Sequence, residues 1–391
     1  MDINKEEIKK TLLEKTESVK KTLEEKAGRK LPWKMIAAAL AGVVLVVGVA
    51  ANVGGGGNPS SYLKIEGTVV MGISNPEKVP AHVKIPEGIT EIEAKAFRVS
   101  AKDENYKGSR AVKTLSLPKS LKKIGTDAFY DCTYLESVNI PNGVTEIGVQ
   151  AFGRCTSLKT VTIGKGVTKI GGKAFNGCES LKSVEIPDSV TEIGSSAFSG
   201  CTSLASVKIP DSVTEIGSYA FNGCTSLASV KIPDGVTKIN DYVFQGCASL
   251  ASVTIPDGVT GIGYWAFKGC ASLKSVTIPG SVEEIFNYAF SGCASLASVE
   301  ISEGVKKIHQ GAFNGCTSLA SVVIPSSVTS IWAAAFQDCP KLKDVRYEGT
   351  VKQLRNPSLL FEDWGNHAFG VDVFDADNGV VIHCADGDVA L

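Results

Sequence analysis

A repeated unit of about 23 residues recurs along most of this chain and constrains its fold more than any other feature. The clearest copy runs from Ile209 to Lys231, and the next copies open at Ile232 and Ile255. A fixed period of this length is typical of a solenoid, in which one small unit stacks on its neighbours and buries a shared core. Because repeats grow by addition, the 391 residues indicate one repeat domain rather than several globular ones.

Each unit predicts two short extended stretches followed by a bend. Apolar and polar residues alternate over residues 206–209, and residues 213–216 place two polar residues between Val213 and Ile216. Pro210 between the two stretches cannot donate to a strand ladder. Ala220-Phe221 predicts a helical turn on the far side. The apolar spacing matches the leucine-rich repeat template. We therefore expect a solenoid of about eleven leucine-rich repeats, with a parallel β-sheet on the concave face and short strands and helical turns elsewhere.

The string Ile-Pro-x-x-Val-Thr-x-Ile-Gly-x-x-Ala-Phe-x-Gly-Cys-x-Ser-Leu resembles the BspA-like, treponemal-type leucine-rich repeat family, and the match covers Ile85 to Val345. The ending, with Tyr347 and Ile382-His-Cys-Ala-Asp-Gly, is similar to the closing segment of that family. Members are typically surface or secreted proteins linked to adhesion to matrix proteins or host cells. The resemblance implies this class of function, and it carries over no catalytic residue.

The repeats are expected over residues 85–346, between an N-terminal cap over residues 62–84 and a C-terminal cap over residues 347–391. Polar residues 98–110 interrupt the first unit. Insertions in repeats map to loops on one face, often a binding face, although a tolerated surface loop explains the interruption equally well.

The N-terminal segment, residues 1–61, differs from the rest of the chain. Residues 1–34 are rich in Lys and Glu and predict a solvated amphipathic helix, with a coiled coil or partner-binding helix as the alternative. Residues 35–53 predict a transmembrane helix, since an uncharged run from Met35 to Ala51 follows a basic cluster. Basic residues on the N-terminal side of a membrane span predict that the N-terminus is cytoplasmic. The repeats are then extracellular, after a Gly/Ser linker over residues 54–61. The alternative is a cleaved signal peptide and a secreted protein.

Ten cysteines recur at the repeat period, and an eleventh, Cys384, stands apart. Equivalent residues of stacked turns point the same way, whereas a disulfide needs side chains that face each other. We therefore expect a ladder of buried thiols that act as small apolar residues. The ladder consists of Cys132, Cys155, Cys178, Cys201, Cys224, Cys247, Cys270, Cys293, Cys316 and Cys339.

The sequence suggests no catalytic, metal or cofactor site. Only four histidines are present, none near a Cys-x-x-Cys motif, and we expect His309 to be an exposed substitution in a position held elsewhere by Gly or Asn. The glycine run at residues 54–57 lacks the Lys of a phosphate-binding loop. A net charge of −1 gives no reason to expect a nucleic-acid partner, and no small-molecule substrate is expected either.

The most informative departure from the repeat is aromatic. Four consecutive units carry a large ring at their eleventh residue, namely Tyr219, Tyr242, Trp265 and Tyr288, and Tyr264 lies beside them. Rigid amphipathic rings suit contact with proteins or sugars. The alternative is that they only shield the loop around Ala-Phe.

These observations lead to the hypothesis of a membrane-anchored, extracellular repeat protein that binds a cell-surface protein or glycan through the row of rings at Tyr219, Tyr242, Trp265 and Tyr288. The alternative is a structural spacer without a dedicated ligand.

Overall fold

A computed structural model of the chain describes residues 59–99, 111–354, 360–361, 373–374 and 379–390. The charged helix and the transmembrane helix predicted over residues 1–53 lie outside the described residues, as do most of the linker and most of the insertion. Within the described ranges, no helix has the length and apolar character needed to cross a membrane.

The described chain forms a parallel β-solenoid of about twelve leucine-rich repeat turns. Each regular turn contributes one strand to each of two sheets, except that the turn opening at Ile232 has only an isolated bridge in the second sheet. Strands pair in register with the equivalent residues of the next turn, as Ser183 does with Ser206 and Ile193 with Ile216. The predicted solenoid and its parallel sheet are thus confirmed.

The first sheet contains β3 (His82–Lys84), β5 (Thr114–Ser116), β7 (Ser137–Asn139), β9 (Thr160–Thr162), β11 (Ser183–Glu185), β13 (Ser206–Lys208), β15 (Ser229–Lys231), β16 (Ser252–Thr254), β18 (Ser275–Ile278), β20 (Ser298–Ile301), β22 (Ser321–Ile324), β24 (Asp344–Tyr347) and β26 (Val381–Cys384). The second contains β2 (Val69–Ile73), β4 (Glu91–Ile92), β6 (Lys123–Ile124), β8 (Glu146–Ile147), β10 (Lys169–Ile170), β12 (Glu192–Ile193), β14 (Glu215–Ile216), β17 (Gly261–Ile262), β19 (Glu284–Ile285), β21 (Lys307–Ile308), β23 (Ser330–Trp332) and β25 (Leu360–Phe361).

The segment that follows the strand of the second sheet in each turn differs from the prediction. The expected helical turn at Ala220-Phe221 is a series of overlapping β-turns, closed by hydrogen bonds such as Ala220 N to Gly217 O (3.2 Å) and Asn222 N to Tyr219 O (3.1 Å). The N–H groups of Tyr219 and Phe221 donate to the next turn instead, at 3.0 and 2.9 Å. A helix would use these N–H groups within its own segment, so it could not tie the turns together.

A stack of phenylalanine rings runs through the core, and each ring comes from the same position of its turn. Consecutive ring centroids lie 5.0–5.7 Å apart with interplanar angles of 15° or less. The rings are fully buried, and burial of a ring is the largest apolar contribution that one residue of a turn can make. The stack contains Phe97, Phe129, Phe152, Phe175, Phe198, Phe221, Phe244, Phe267, Phe290, Phe313, Phe336 and Phe374.

Both ends of the solenoid carry antiparallel strands. At the N-terminal end β1 (Leu63–Glu66) pairs with β2, and two 3₁₀-helices span Pro59–Ser61 and Pro76–Lys78. At the C-terminal end α1 (Val351–Leu354) follows β24, and β27 (Gly387–Ala390) pairs with β26. The parallel pairing of β24 with β26 and the stacking of Phe374 on Phe336 place one irregular turn after the eleven regular units.

Both sheets are interrupted near the middle of the solenoid. The first sheet breaks between β16 and β18, and the second breaks between β14 and β17, where Ile239 forms only an isolated bridge with Ile262. The side chain of Asn240 donates to Ile216 O (2.8 Å), the carbonyl position that accepts a backbone N–H in other turns, as Ile193 O does from Gly217. The core crosses these breaks without interruption.

Candidate binding surface

Position 11, counted from the first residue of each turn, has a left-handed backbone in all eleven regular turns. The φ angle there is 61° at Tyr219, 61° at Tyr242, 55° at Trp265 and 57° at Tyr288. The same φ region is found in turns where Gln150 (54°) or another non-aromatic residue stands at this position. Bulky residues seldom adopt this conformation, since their Cβ crowds the backbone.

Hydrogen bonds between turns impose this backbone. From Lys95 to Gly311, the N–H at position 11 donates to the carbonyl at position 10 of the next turn, as in Tyr242 N to Tyr264 O (2.9 Å) and Tyr288 N to Gln310 O (2.9 Å). The carbonyl of Tyr242 accepts the N–H of Gln245 in its own turn (3.2 Å). Position 11 is therefore held from both sides, whatever side chain it carries.

The four aromatic side chains lie at the surface, outside the core. Tyr219 is 38% exposed and Tyr264 beside the row is 44% exposed, while Tyr242, Trp265 and Tyr288 are half-buried. We call these four residues at position 11 the aromatic row. The structure thus brings together the side chains that the sequence placed side by side.

Within the row the rings pack on one another along the solenoid axis. Tyr219 and Tyr242 stack with centroids 4.2 Å apart and an interplanar angle of 9°. Trp265 is nearly perpendicular to Tyr242 at 4.8 Å, and Tyr288 lies 6.2 Å from Trp265 at 51°. Desolvation, followed by the hydroxyl of Tyr219, raises the pKa of Tyr242 above its ordinary value. The indole N–H of Trp265 is buried and has no hydrogen-bond partner in the described part of the chain.

A second column of rings lies beside the row at position 9. His309 stacks between Phe286 (5.0 Å, 16°) and Trp332 (4.3 Å, 2°), and Tyr264 packs on Phe286 at 5.1 Å. We call Phe286, His309 and Trp332 the second column. The expectation that His309 is an exposed substitution was wrong, since its side chain is 18% exposed between two rings.

An ion-pair cluster flanks the second column. The Glu284 carboxylate contacts Lys307 Nζ and His309 Nε2, each at 2.8 Å. The hydrogen bond from Lys307 is the main cause that holds the pKa of Glu284 below its usual range, and partial burial acts against it. The cluster therefore ties an outward residue of β19 to the stacked imidazole of the next turn.

The ten cysteines of the ladder are buried thiols, and each occupies position 16 of its turn. Each Sγ lies 3.2–3.4 Å from the carbonyl oxygen of the core Phe in the preceding turn. Phe198 O, for example, accepts the N–H of Cys201 and the S–H of Cys224, both at 3.2 Å. The thiol thus satisfies a second lone pair that a purely apolar side chain would leave unpaired. Burial raises the pKa of Cys224 to about 12.

Comparison with known proteins identifies the family. A sequence model described as the BspA type leucine rich repeat region matches residues 100–228 and 237–362, in six copies. The chain belongs to the BspA-type leucine-rich repeat family. The resemblance stated from the repeat string is thereby confirmed, and the match covers well over half of the chain.

Solved structures similar to this BspA-type protein agree with the fold. A leucine-rich repeat protein from Bacteroides ovatus is 26% identical, with 76% of this chain and 88% of that chain covered and a TM-score of 0.57. The pneumococcal vaccine antigen PcpA is 18% identical, with 84% and 96% covered and a TM-score of 0.50, a likeness of fold alone. A search of curated proteins finds no match.

The first sheet of this BspA-type protein offers a different kind of surface. A depression of about 830 Å³ crosses β9, β11 and β13, and its lining includes Ser183, Glu185, Asp188 and Lys208. No aromatic side chain lines it. Strong contacts at protein interfaces concentrate in Trp, Tyr and Arg, so this depression has fewer anchoring groups than the aromatic row.

The described ranges contain no group of three or more His, Cys, Asp or Glu side chains that could hold a metal ion. The sequence shows Phe286 and Trp332 in slots beside the aromatic row, but reasoning from it did not join them with His309, because the three side chains differ in chemical class. The signal was present: three consecutive repeats replace the small residue at position 9 by Phe286, His309 and Trp332.

Proposed function

We propose that this protein is a membrane-anchored surface protein whose repeat domain binds a macromolecule, protein or glycan, through the aromatic row. Leucine-rich repeat domains generally serve as protein-interaction modules, and membership of the BspA-type family supports that class of function. The proposal includes no catalysis, cofactor, nucleic acid or small-molecule substrate.

The aromatic row carries this proposal because the fold does not require aromatic residues there. Position 11 takes the same backbone with Lys173, Ser196 or Ala334 as it does with Tyr219. Because the backbone at position 11 is the same in all eleven regular turns, the fold itself gives no reason for rings there. Four consecutive aromatic side chains at the surface therefore favour a role in contact over a role in folding.

A double substitution tests the proposal. In the full-length chain, Tyr242→Ser with Trp265→Ser should weaken binding to an immobilised panel of matrix proteins and glycans at least tenfold, about 1.4 kcal/mol. The melting temperature should change little. The matched control is Gln150→Ser with Lys173→Ser, at the same position of two earlier turns, which should leave binding unchanged.

The second candidate function is a spacer without a dedicated ligand. Its support is that Tyr242, Trp265 and Tyr288 are half-buried and that the Tyr288 ring lies over Gly311 of the next turn. On this alternative the double substitution should lower the melting temperature markedly, while binding per folded molecule stays the same. Unchanged binding of the double variant would therefore refute the aromatic row as the contact surface.

The membrane anchor is a separate part of the proposal. The apolar residues 35–53 follow basic residues Arg29, Lys30 and Lys34, which supports a retained helix with the N-terminus in the cytoplasm. Mass spectrometry of the protein extracted from membranes should recover peptides from residues 1–34. A mature N-terminus near Asn52 would show a cleaved signal peptide and a secreted protein instead.

A further inference from the structure

We propose that the partner of the aromatic row is a polypeptide that presents carbonyl and carboxylate oxygens, and that it contacts the ring edges and hydroxyls rather than the ring faces. This inference rests on the proposed function, since it assumes that the row is the contact surface. It decides between the two partner classes, protein and glycan, that the function leaves open.

Neighbouring turns already occupy most of the ring faces in the aromatic row. Tyr219 and Tyr242 cover each other at a centroid distance of 4.2 Å and 9°. The solenoid repeat causes this, because side chains at one position of successive turns stack along the axis. Of this pair, only the face of Tyr219 that points towards Ser196 has no ring against it.

Two rings, those of Trp265 and Tyr288, leave the parallel stack. Trp265 stands at 82° to Tyr242, and Lys268 Nζ lies over its ring, 4.9 Å from the centroid. The ring of Tyr288 lies so close over Gly311 that a methyl group there would overlap it. An ammonium group and a backbone segment thus cover the faces that the change of angle would open.

The charge distribution of an aromatic ring determines which chemical groups bind to its face and which to its edge. Its face is negative and its edge is positive. Sugar C–H groups, nucleobases and cations bind the face, whereas carbonyl and carboxylate oxygens bind the edge. A row whose faces are largely covered therefore disfavours a glycan. It favours a partner rich in oxygen acceptors, which can approach the edge and hydroxyl of the exposed Tyr219.

The polar groups beside the row have the matching character. The hydroxyls of Tyr219 and Tyr242 are hydrogen-bonded to each other, so one of the two O–H groups remains available to donate. The hydroxyl of Tyr288 and the ammonium of Lys268 are further donors. The carboxylate of Asp241 already accepts the backbone N–H of Tyr264 at 2.9 Å. Donors therefore predominate at the row, and a peptide backbone with Asp or Glu side chains complements them.

Selection from a phage-displayed library of random dodecapeptides on the immobilised full-length chain tests the inference. Enriched peptides should be rich in Asp and Glu, and Tyr242→Ser with Trp265→Ser should weaken their binding at least tenfold. The control pair Gln150→Ser with Lys173→Ser should have no effect. Calorimetric titration with cellohexaose and chitohexaose should give no binding that depends on the rings.

Each other outcome has a separate meaning. Ring-dependent binding of either hexaose would overturn the inference and leave the proposed function standing. Ring-dependent peptides without acidic enrichment would overturn the chemistry assigned to the partner. Failure to enrich any ring-dependent peptide would overturn the inference, and if the matrix-protein and glycan panel also showed no ring dependence, the proposed function would fall with it. A concentration-dependent dimer lost in the double variant would identify a second copy as the partner, which also contradicts the inference.

Discussion

The early and late turns of the solenoid share a core but differ at position 9 on the outside. In the five turns that open at residues 117 to 209, position 9 is glycine, and a Cβ on Gly171 or Gly194 would lie within 2.5–2.6 Å of backbone in the neighbouring turn. In the three late turns, which open at residues 278, 301 and 324, the same position carries Phe286, His309 and Trp332 of the second column. Both groups keep the hydrogen bond from position 9 to the preceding turn, 2.8 Å at Gly171 and 2.9 Å at Phe286.

The difference teaches that the core and the outer surface of this solenoid vary independently. The phenylalanine stack keeps a spacing of 5.0–5.7 Å through both groups of turns and through the breaks in both sheets. On the outside, Tyr288 is accommodated by Gly311 of the next turn, where an added Cβ would overlap the tyrosine ring. A change of side chain outside is thus compensated outside, and the core provides the continuity.

The largest expected effect tests the tight packing of the early turns. Gly171→Ala should lower the free energy of unfolding by about 3 kcal/mol, because the added methyl meets the backbone of Ile147 and Gly148. Denaturant unfolding of the purified chain measures the change. The adjacent Gly172→Ala is the control, since its nearest backbone atom lies 3.3 Å away, and its effect should be below about 1 kcal/mol. Equal effects of the two substitutions would show that position 9 is not closely packed.

The second-largest expected effect concerns the buried thiols, and it should be equal in the early and the late turns. Cys178→Ala and Cys293→Ala should each lower the free energy of unfolding by about 2 kcal/mol, because each removes buried volume and the thiol donor to a Phe carbonyl. Unfolding curves of the two variants and of the partly exposed Cys384→Ala provide the comparison. A clearly larger loss in one group would contradict a uniform core.

Alkylation of the native protein gives an independent check of the thiols. Burial raises the pKa of Cys293 to about 12, and that of Cys178 well above its ordinary value, so little thiolate is available. Cys384 is less buried and should react first. Peptide mapping that finds Cys178 labelled as fast as Cys384, or a disulfide between neighbouring turns, would contradict the ladder.

A smaller effect should distinguish the ion pairs of the two groups. Glu284 pairs with both Lys307 and His309, whereas Glu192 in an early turn pairs with Lys169 (2.8 Å). The lowered pKa of Glu284 means that its stabilisation is present above the ordinary value of 4.5 and is lost as the pH falls through the lowered value. Glu284→Gln should therefore cost up to about 1 kcal/mol at pH 7 and reduce the acid sensitivity of the melting temperature.

The matched control for the ion pairs is Glu192→Gln, which should cost less than Glu284→Gln at neutral pH. Melting curves between pH 7 and pH 3 measure both variants. A melting temperature of Glu284→Gln that falls with acid as steeply as that of the unmodified protein would show that the cluster contributes nothing.

The smallest expected effect concerns the strained backbone of the aromatic row. Tyr219→Asn should change the free energy of unfolding by no more than about 0.5 kcal/mol, because relief at φ 61° offsets the lost stacking on Tyr242. Ser196→Asn, at the same position of the preceding turn, should stabilise slightly, since no ring is lost there. Thermal unfolding of both variants tests this. A loss for Tyr219→Asn as large as that expected for the buried thiols would assign its ring to the folded core.

The sequence predicted the side chains of the aromatic row better than their packing. The spacing of Tyr219 and Tyr242 already required them to be neighbours. It could not show that Trp265 would turn its ring by 82° or that Lys268 would cover it, because ring angles depend on atoms of several turns at once. His309 was misjudged for the same reason, since its environment comes from the turns on either side.

The sequence by itself determined the repeat, the parallel solenoid and the apolar positions, because a constant period brings each residue beside its equivalent in the next turn. Only the tertiary structure decided the left-handed backbone at position 11, the use of each thiol as a donor and the irregular turn that ends in Phe374. These depend on hydrogen bonds between turns, such as Tyr219 N to Asp241 O (3.0 Å). No residue type signals such a bond, since Lys, Gln, Ser and Tyr all occupy the same position.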